Sequence, residues 1–186
     1  MVRKRSTKKT ADSSAKKQPR SAADLAATAH HEAGHAVILV VLGIPVTEVS
    51  IVDRGDAHGT CGHPSPYNMY ASPRDIRRAA RDCILVSYAG VPAQRLVDPN
   101  PHDRHGDDDD VSAYRVSREY QVFPRVMQYD GDDYHLAFLE RLRRESARLV
   151  RRHAAAIRHL AKVLLDRKMM TGDEVEAALA AFDLSR

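Results

Sequence analysis

The stretch AADLAATAHHEAGHAVILVVL, residues 22–42, decides how this chain folds. Ser21 stands directly before it and Asp24 follows three residues later, which is the spacing of a capping box. A helix is therefore predicted to begin at Ala22. Gly43 and Pro45 predict that the helix ends near Leu42, because neither residue continues a helix well.

Within this helix lies the pattern H-E-x-x-H, formed by His31, Glu32 and His35. Residues four apart on a helix are offset by about 40° and one turn, so both imidazoles face the same way and can bind one cation. Glu32 stands beside them and can accept a proton from a water on that cation. Two imidazoles and a carboxylate are a ligand set that suits Zn²⁺. The alternative is a pair of histidines beside a solvated glutamate.

A third ligand has to come from elsewhere in the chain. Four consecutive carboxylates, Asp107 to Asp110, follow a polar loop. Crowded carboxylates repel one another unless a cation is near. One hypothesis is that an aspartate of this run is the third ligand; the other is a solvated charge run in which Asp110 only caps the next helix. We interpret His102 and His105 nearby as solvated loop residues.

The segments around the motif predict a small β element and a second helix. Val46 to Val52 is β-branched and alternating, so a strand is predicted there, with a second short strand at Thr60-Cys61. Ser72 followed by a proline predicts a helix start. We expect that helix to run to about Val97, with a kink or close packing at Ala89-Gly90.

The second half of the chain is predicted to be helical. One helix should begin at the end of the aspartate run and continue until Pro124. Residues 132–171 contain no Gly or Pro and predict one long helix or two in close succession. Thr171 and Glu174 form a capping box for a last helix. The predicted fold is mainly α with a small β element (α+β): a zincin-like helix, a short sheet and a C-terminal helical bundle.

The positive charge of the chain is concentrated at its start. The net charge is +4, but residues 1–20 hold eight Lys or Arg and one Asp, which leaves 21 basic and 24 acidic residues in the remainder. We predict a disordered basic tail over residues 1–20 and one folded domain over 21–186. The tail is interpreted as a solubilising leader, with nucleic-acid contact as the open alternative.

Composition excludes several classes of protein. There is no run of about 18 apolar residues, so no membrane-spanning helix is predicted. The two cysteines cannot form a disulfide framework. The basic start has no apolar stretch behind it, so it does not look like a signal peptide. The expected location is the cytoplasm.

The motif and its flanks resemble a known family. The stretch ATAHHEAGHA, residues 27–36, followed by an apolar run and a strand, resembles the peptidase domain of the FtsH-type zinc metalloproteases. The stretch YAGVPAQ, residues 88–94, is similar to a Gly-centred helix of that family. Gly106 to Val111 resembles the segment that supplies its aspartate ligand. The resemblance covers residues 24–182, and it is specific only around 31–36.

This resemblance implies a zinc endopeptidase with His31, His35 and Asp110 as ligands and Glu32 as general base. Asp107, Asp109 and His105 are the next candidates for the third ligand. The family joins this domain to a membrane anchor and an ATPase. This chain has no Gly-Lys dipeptide, so no phosphate-binding loop is expected. Gln94 and Arg95 also stand where the family usually has acidic residues.

The predicted function is therefore a soluble, ATP-independent zinc endopeptidase that hydrolyses flexible or unfolded polypeptides. The substrate is expected to lie extended against an edge strand near Thr60. One alternative is a protease subunit served by a separate ATPase partner, and homo-oligomers are open in either case. The other alternative is a non-catalytic, zinc-stabilised binding module with an anion-binding tail.

Overall fold

The computed structural model describes residues 20–54, 58–65, 72–101, 104–120, 122 and 131–186. Over these residues the chain is mainly helical with a small antiparallel sheet, which confirms the predicted fold class. The helices are α1 Ala22–Val41, α2 Pro73–Ser87, α3 Gly90–Gln94, α4 Arg104–Glu119, α5 Gly131–Arg152, α6 Ala154–Arg167 and α7 Gly172–Leu179. The strands are β1 Glu48–Ser50, β2 Thr60–Gly62 and β3 Met169–Thr171.

Helix α1 begins with the predicted capping box. The Ser21 hydroxyl accepts a hydrogen bond from the Asp24 amide, and the Asp24 carboxylate accepts one from the Ser21 amide, each at 3.1 Å. The helix ends at Val41, one residue before the predicted end, and Gly43 follows with a φ of 70°. This left-handed conformation costs glycine little, so Gly43 allows the chain to turn away.

Helix α1 lies at the centre of the domain, packed against α6, α3 and the sheet. Small side chains make this possible: Ala29, Ala33 and Ala36 are fully buried. A Cβ on Gly34 would collide with the Ala93 side chain of α3. The polar motif therefore sits on a helix that neighbours cover on nearly all sides.

The kink predicted after α2 is confirmed. The Ser72 hydroxyl caps α2 by accepting from the Asp75 amide at 3.2 Å. The helix stops at Ser87, and α3 begins at Gly90 and ends at Gln94 rather than at Val97. The break turns α3 so that it packs across α1.

Strand β1 is the middle strand of the sheet, and both neighbours run antiparallel to it. Val49 pairs with Cys61 of β2 on one side and with Met170 of β3 on the other. Strand β3 was not predicted. It follows Lys168, which ends α6 in the left-handed conformation with a φ of 68°. Glycine is the usual residue there, so the sequence carries no stop signal.

The predicted start of α4 was wrong. The helix begins at Arg104, ahead of the aspartate run, and is assigned as far as Glu119. Carboxylates in the first turns of a helix are stabilised by its dipole, so the run is compatible with the helix instead of preceding it. Asp110 consequently does not cap the helix. The predicted end at Pro124 lies outside the described residues.

The long helical segment consists of two helices, α5 and α6, which meet at His153. Helix α6 supplies Ile157, Leu160 and Leu164 to the core under α1. Helix α5 supplies Leu142 to a second cluster with α2 and α4. The Thr171 and Glu174 capping box begins α7 as predicted. None of the helices in the described ranges combines the length and apolar content that crossing a bilayer requires.

Candidate metal centre

Helix α1 presents His31 and His35 to the same point. They are four residues apart, and their ring centroids lie 4.7 Å from each other at a steep interplanar angle. The two residues are only 5% and 7% exposed, although imidazole is a polar group. Buried polar side chains need a partner, and the partner here comes from α4.

That partner is Asp109. Its Oδ2 lies 3.2 Å from His31 Nε2 and 3.6 Å from His35 Nε2. One ligand atom from each of the three residues lies within 4.8 Å of the others. Asp109 Oδ2 is buried and has no hydrogen-bond partner among the residues that the structure describes. The carboxylate oxygen is therefore aimed at the two ring nitrogens.

The spacing of these atoms fits a zinc ion. Ligand atoms about 2.0–2.2 Å from a tetrahedral ion lie about 3.3–3.6 Å from one another. The distances from Asp109 to the two nitrogens are 3.2 and 3.6 Å. Two imidazoles and one carboxylate are also the chemistry of catalytic zinc sites, which keep one position open. The residues present could thus hold Zn²⁺.

Asp110, which the family resemblance implied as third ligand, is directed elsewhere. Its Oδ1 accepts a hydrogen bond from Arg143 of α5 at 2.7 Å. The same guanidinium lies 4.8 Å from the centre of the Tyr88 ring. Consecutive helical residues are rotated by about 100°, so only one of two neighbouring aspartates can face α1. The phase of α4 gives that place to Asp109.

Among the described residues of this segment, the other candidates are not part of the group. Asp107 and Asp108 are exposed. His102 and the side chain of His105 lie outside what the structure describes. The sequence indicates the run of four aspartates as the source of a ligand. Which of them faces α1 depends on where α4 begins, and the sequence does not specify that residue.

Two contacts orient the histidines. His35 Nδ1 lies 2.7 Å from the carbonyl oxygen of Val86 in α2. A carbonyl can only accept, so Nδ1 carries the proton and the lone pair of Nε2 faces Asp109. The His31 ring packs directly on Gly90, where a Cβ would collide with it. Sequence reasoning expected close packing at Gly90, but nothing in the sequence signalled the Val86 carbonyl.

Glu32 lies beside the histidines and is itself buried, at 7% exposure. Burial raises its pKa to about 7, His35 acts in the opposite direction, and Asp109 raises it further. A Cβ on Gly59, next to β2, would lie 2.5 Å from Glu32 Oε1. The absent side chain at Gly59 therefore makes room for this carboxylate. A carboxyl with a pKa near neutrality can both take up and release a proton.

The chain shows a partial similarity to one characterised protein. No family model matches it. Over 73 residues it is 41% identical to the ATP-dependent zinc metalloprotease FtsH of Caldicellulosiruptor bescii. The match covers 38% of this chain and only 11% of that protein. It indicates an FtsH-related region in this chain.

Proposed function

We propose that this protein is a zinc-dependent endopeptidase, with His31, His35 and Asp109 as metal ligands and Glu32 as general base. The observation that carries the proposal is the convergence of both Nε2 atoms on Asp109 Oδ2, at 3.2 and 3.6 Å, beside a buried glutamate. The partial similarity to a zinc metalloprotease supports the same chemistry.

Zn²⁺ bound there would activate a water molecule and polarise the carbonyl of the substrate. The remaining work falls to the chain itself. Glu32 takes a proton on its carboxylate and later returns it to the leaving amine. Its low exposure keeps bulk water from competing for that proton. The Val86 carbonyl and Gly90 hold the imidazoles in place while the charge on Glu32 changes.

The substrate is expected to bind as an extended strand. Among the described residues, β2 lies at one edge of the sheet, with β1 on its other side. Gly59, which touches Glu32, directly precedes this strand. A polypeptide that pairs with the outer edge of β2 would therefore pass close to Glu32. Such pairing needs free backbone groups, which favours flexible or unfolded substrates.

The test combines zinc content with peptide hydrolysis by the full chain. We expect about one zinc per chain and cleavage of an unfolded protein. Glu32→Gln should keep the zinc and lower kcat by about 10²- to 10⁴-fold. Glu176→Gln removes an exposed carboxylate of α7 and is the matched control, with both properties unchanged. A folded protein that binds no zinc, or that is zinc-loaded and cleaves no peptide, would refute the proposal.

A further inference from the structure

A cavity of about 460 Å³ opens beside the candidate metal centre. Asp109 lines it from α4, Arg95 from the end of α3, and Arg143 and Arg144 from α5. Asp109 belongs both to the candidate centre and to the lining of the cavity, so the cavity adjoins the centre on the side of Asp109. A chain bound along the cavity would pass the centre at Asp109.

A second cavity of about 310 Å³ continues along α5. It shares Arg144 and Ala147 with the first cavity and adds Arg148 and Arg151. The two cavities therefore adjoin. We name the joint surface the arginine groove and define it by Arg95, Arg144, Ala147, Arg148 and Arg151.

The arginines of this groove carry positive charge that little in the protein neutralises. Arg144, Arg148 and Arg151 follow helical spacing and form an exposed row about 10 Å long. Within the described part of the chain, Arg95, Arg148 and Arg151 make no ion pair. Arg144 has only an exposed contact with Glu140, at 3.8 Å.

Other arginines on or near α5 do have carboxylate partners, so unpaired arginines are not typical of this surface. Arg143 is bound to Asp110, and Arg81 of α2 binds Glu145 at 2.7 Å. The carboxylates that line the first cavity are Asp107, Asp109, Asp110 and Glu140. No carboxylate lines the second cavity. The groove is thus mixed in charge beside the metal centre and purely basic at its far end.

We propose that the arginine groove binds an acidic segment of the polypeptide that is cleaved at the metal centre. This inference rests on the proposed function. An extended chain advances by about 3.3 Å per residue, so the row spans about three substrate residues. Carboxylates on those substrate residues could each pair with a guanidinium group of the row. A nucleic acid fits less well, because each of its residues carries a phosphate and some of them would meet Asp107 and Glu140 near the centre. A peptide can carry its carboxylates only at the far end of the groove, where no carboxylate lines the second cavity.

Binding is measured first, without relying on catalysis. The probe is a fluorescent peptide with a run of glutamates, and its partner peptide carries glutamines instead. Fluorescence anisotropy with the full-length Glu32→Gln protein gives both Kd values. Reversing two charges, Arg148→Glu with Arg151→Glu, should weaken the glutamate peptide about tenfold at low salt and change the glutamine peptide by less than about twofold. Added salt should reduce the difference.

The control reverses two charges at the same spacing on another surface. Arg74 and Arg77 of α2 are exposed and line neither cavity. Arg74→Glu with Arg77→Glu changes the net charge equally and should leave both Kd values unchanged. Equal weakening in the two double variants would overturn the proposal, because only net charge would then matter. So would equal affinity for the glutamate and glutamine peptides.

Cleavage by the wild-type active site adds a second readout. The ratio of kcat/KM for the glutamate peptide over the glutamine peptide should fall about tenfold in the Arg148→Glu, Arg151→Glu variant. If the glutamate peptide binds through the groove but neither peptide is cleaved, the proposed function fails while the binding site stands. If duplex DNA binds more tightly than the glutamate peptide and loses affinity in this variant, the groove is a nucleic-acid site and the proposal is wrong.

Discussion

The candidate centre is built from two helices that are held very differently. Helix α1 is enclosed by α6, α3 and the sheet, and both of its histidines are buried. Helix α4 packs mainly on α2, and the side chain of Asp109 is 19% exposed. The residue next to Asp109 is fixed by an ion pair at the surface, between Asp110 and Arg143.

This difference separates two sources of precision. On α1 the spacing of the two histidines is set locally, because both belong to the same helix and stand four residues apart. Between α1 and α4 the distance depends on packing, and a rotation of α4 by one residue would exchange Asp109 for Asp110. The histidine pair is therefore robust, whereas the identity of the third ligand depends on how α4 lies.

The largest expected effect comes from comparing the two adjacent aspartates. Asp109→Ala removes an oxygen 3.2 Å from His31 Nε2 and should weaken zinc binding by more than about 100-fold. Asp110→Ala removes only the partner of Arg143 and should change zinc affinity by less than about threefold. Competition with a chromophoric chelator measures both constants.

The two variants control each other, since each deletes one carboxylate from the same helix. Both should keep the helical circular-dichroism signal of the parent. If Asp110→Ala loses the metal and Asp109→Ala keeps it, α4 has the other phase and the ligand implied by the sequence resemblance is the right one.

Features set within one helix could be predicted from the sequence, whereas features set by packing between helices could not. The capping boxes at Ser21 and Thr171 are local signals, and the structure has both. The H-E-x-x-H spacing is local too, so the paired imidazoles follow from it. The choice of Asp109 depends on where α4 begins. Asp103, directly before Arg104, is a residue type that caps helices, but so is each aspartate of the run 107–110, so the sequence offers several equivalent starts.

Strand β3 could not be predicted for a related reason. Lys168 ends α6 in the left-handed conformation, a position where glycine is the usual residue. The three residues of β3 continue an apolar pattern that fits a helix equally well. Their strand conformation is set by pairing with β1, a contact distant in sequence. The division into a tail over 1–20 and a domain over 21–186 stays a prediction.

Two glycines allow the metal ligands and the general base of the centre to be disturbed separately. Gly90 touches the His31 ring, and Gly90→Ala should push that ring aside and weaken zinc binding by about 10- to 100-fold. Gly59 touches Glu32 Oε1 instead, so Gly59→Ala should leave zinc affinity intact and lower kcat by about tenfold. Chelator competition and peptide hydrolysis distinguish the two outcomes.

Each glycine variant adds a single methyl group, so each is the control for the other. Thermal unfolding of the metal-free proteins checks that neither substitution disrupts the fold. Loss of zinc in Gly59→Ala would place that residue against a metal ligand rather than against Glu32. Unchanged zinc affinity in Gly90→Ala would mean that α3 yields easily and does not position His31.

The smallest expected effect concerns the ion pair that holds α4 at the surface. Arg143 and Asp110 are both about half exposed, so Arg143→Ala should reduce the free energy of unfolding by less than about 1 kcal/mol. Zinc affinity should nevertheless fall about twofold, within the limit expected for Asp110→Ala, because α4 loses the contact beside Asp109. Arg141, also on α5, binds no carboxylate among the described residues, and Arg141→Ala is the matched control with unchanged zinc affinity. Equal zinc affinity in the two variants would show that packing on α2 alone sets the rotation of α4 about its axis. Helices α1 and α4 would then differ less in how firmly they are held than the exposure of their side chains indicates.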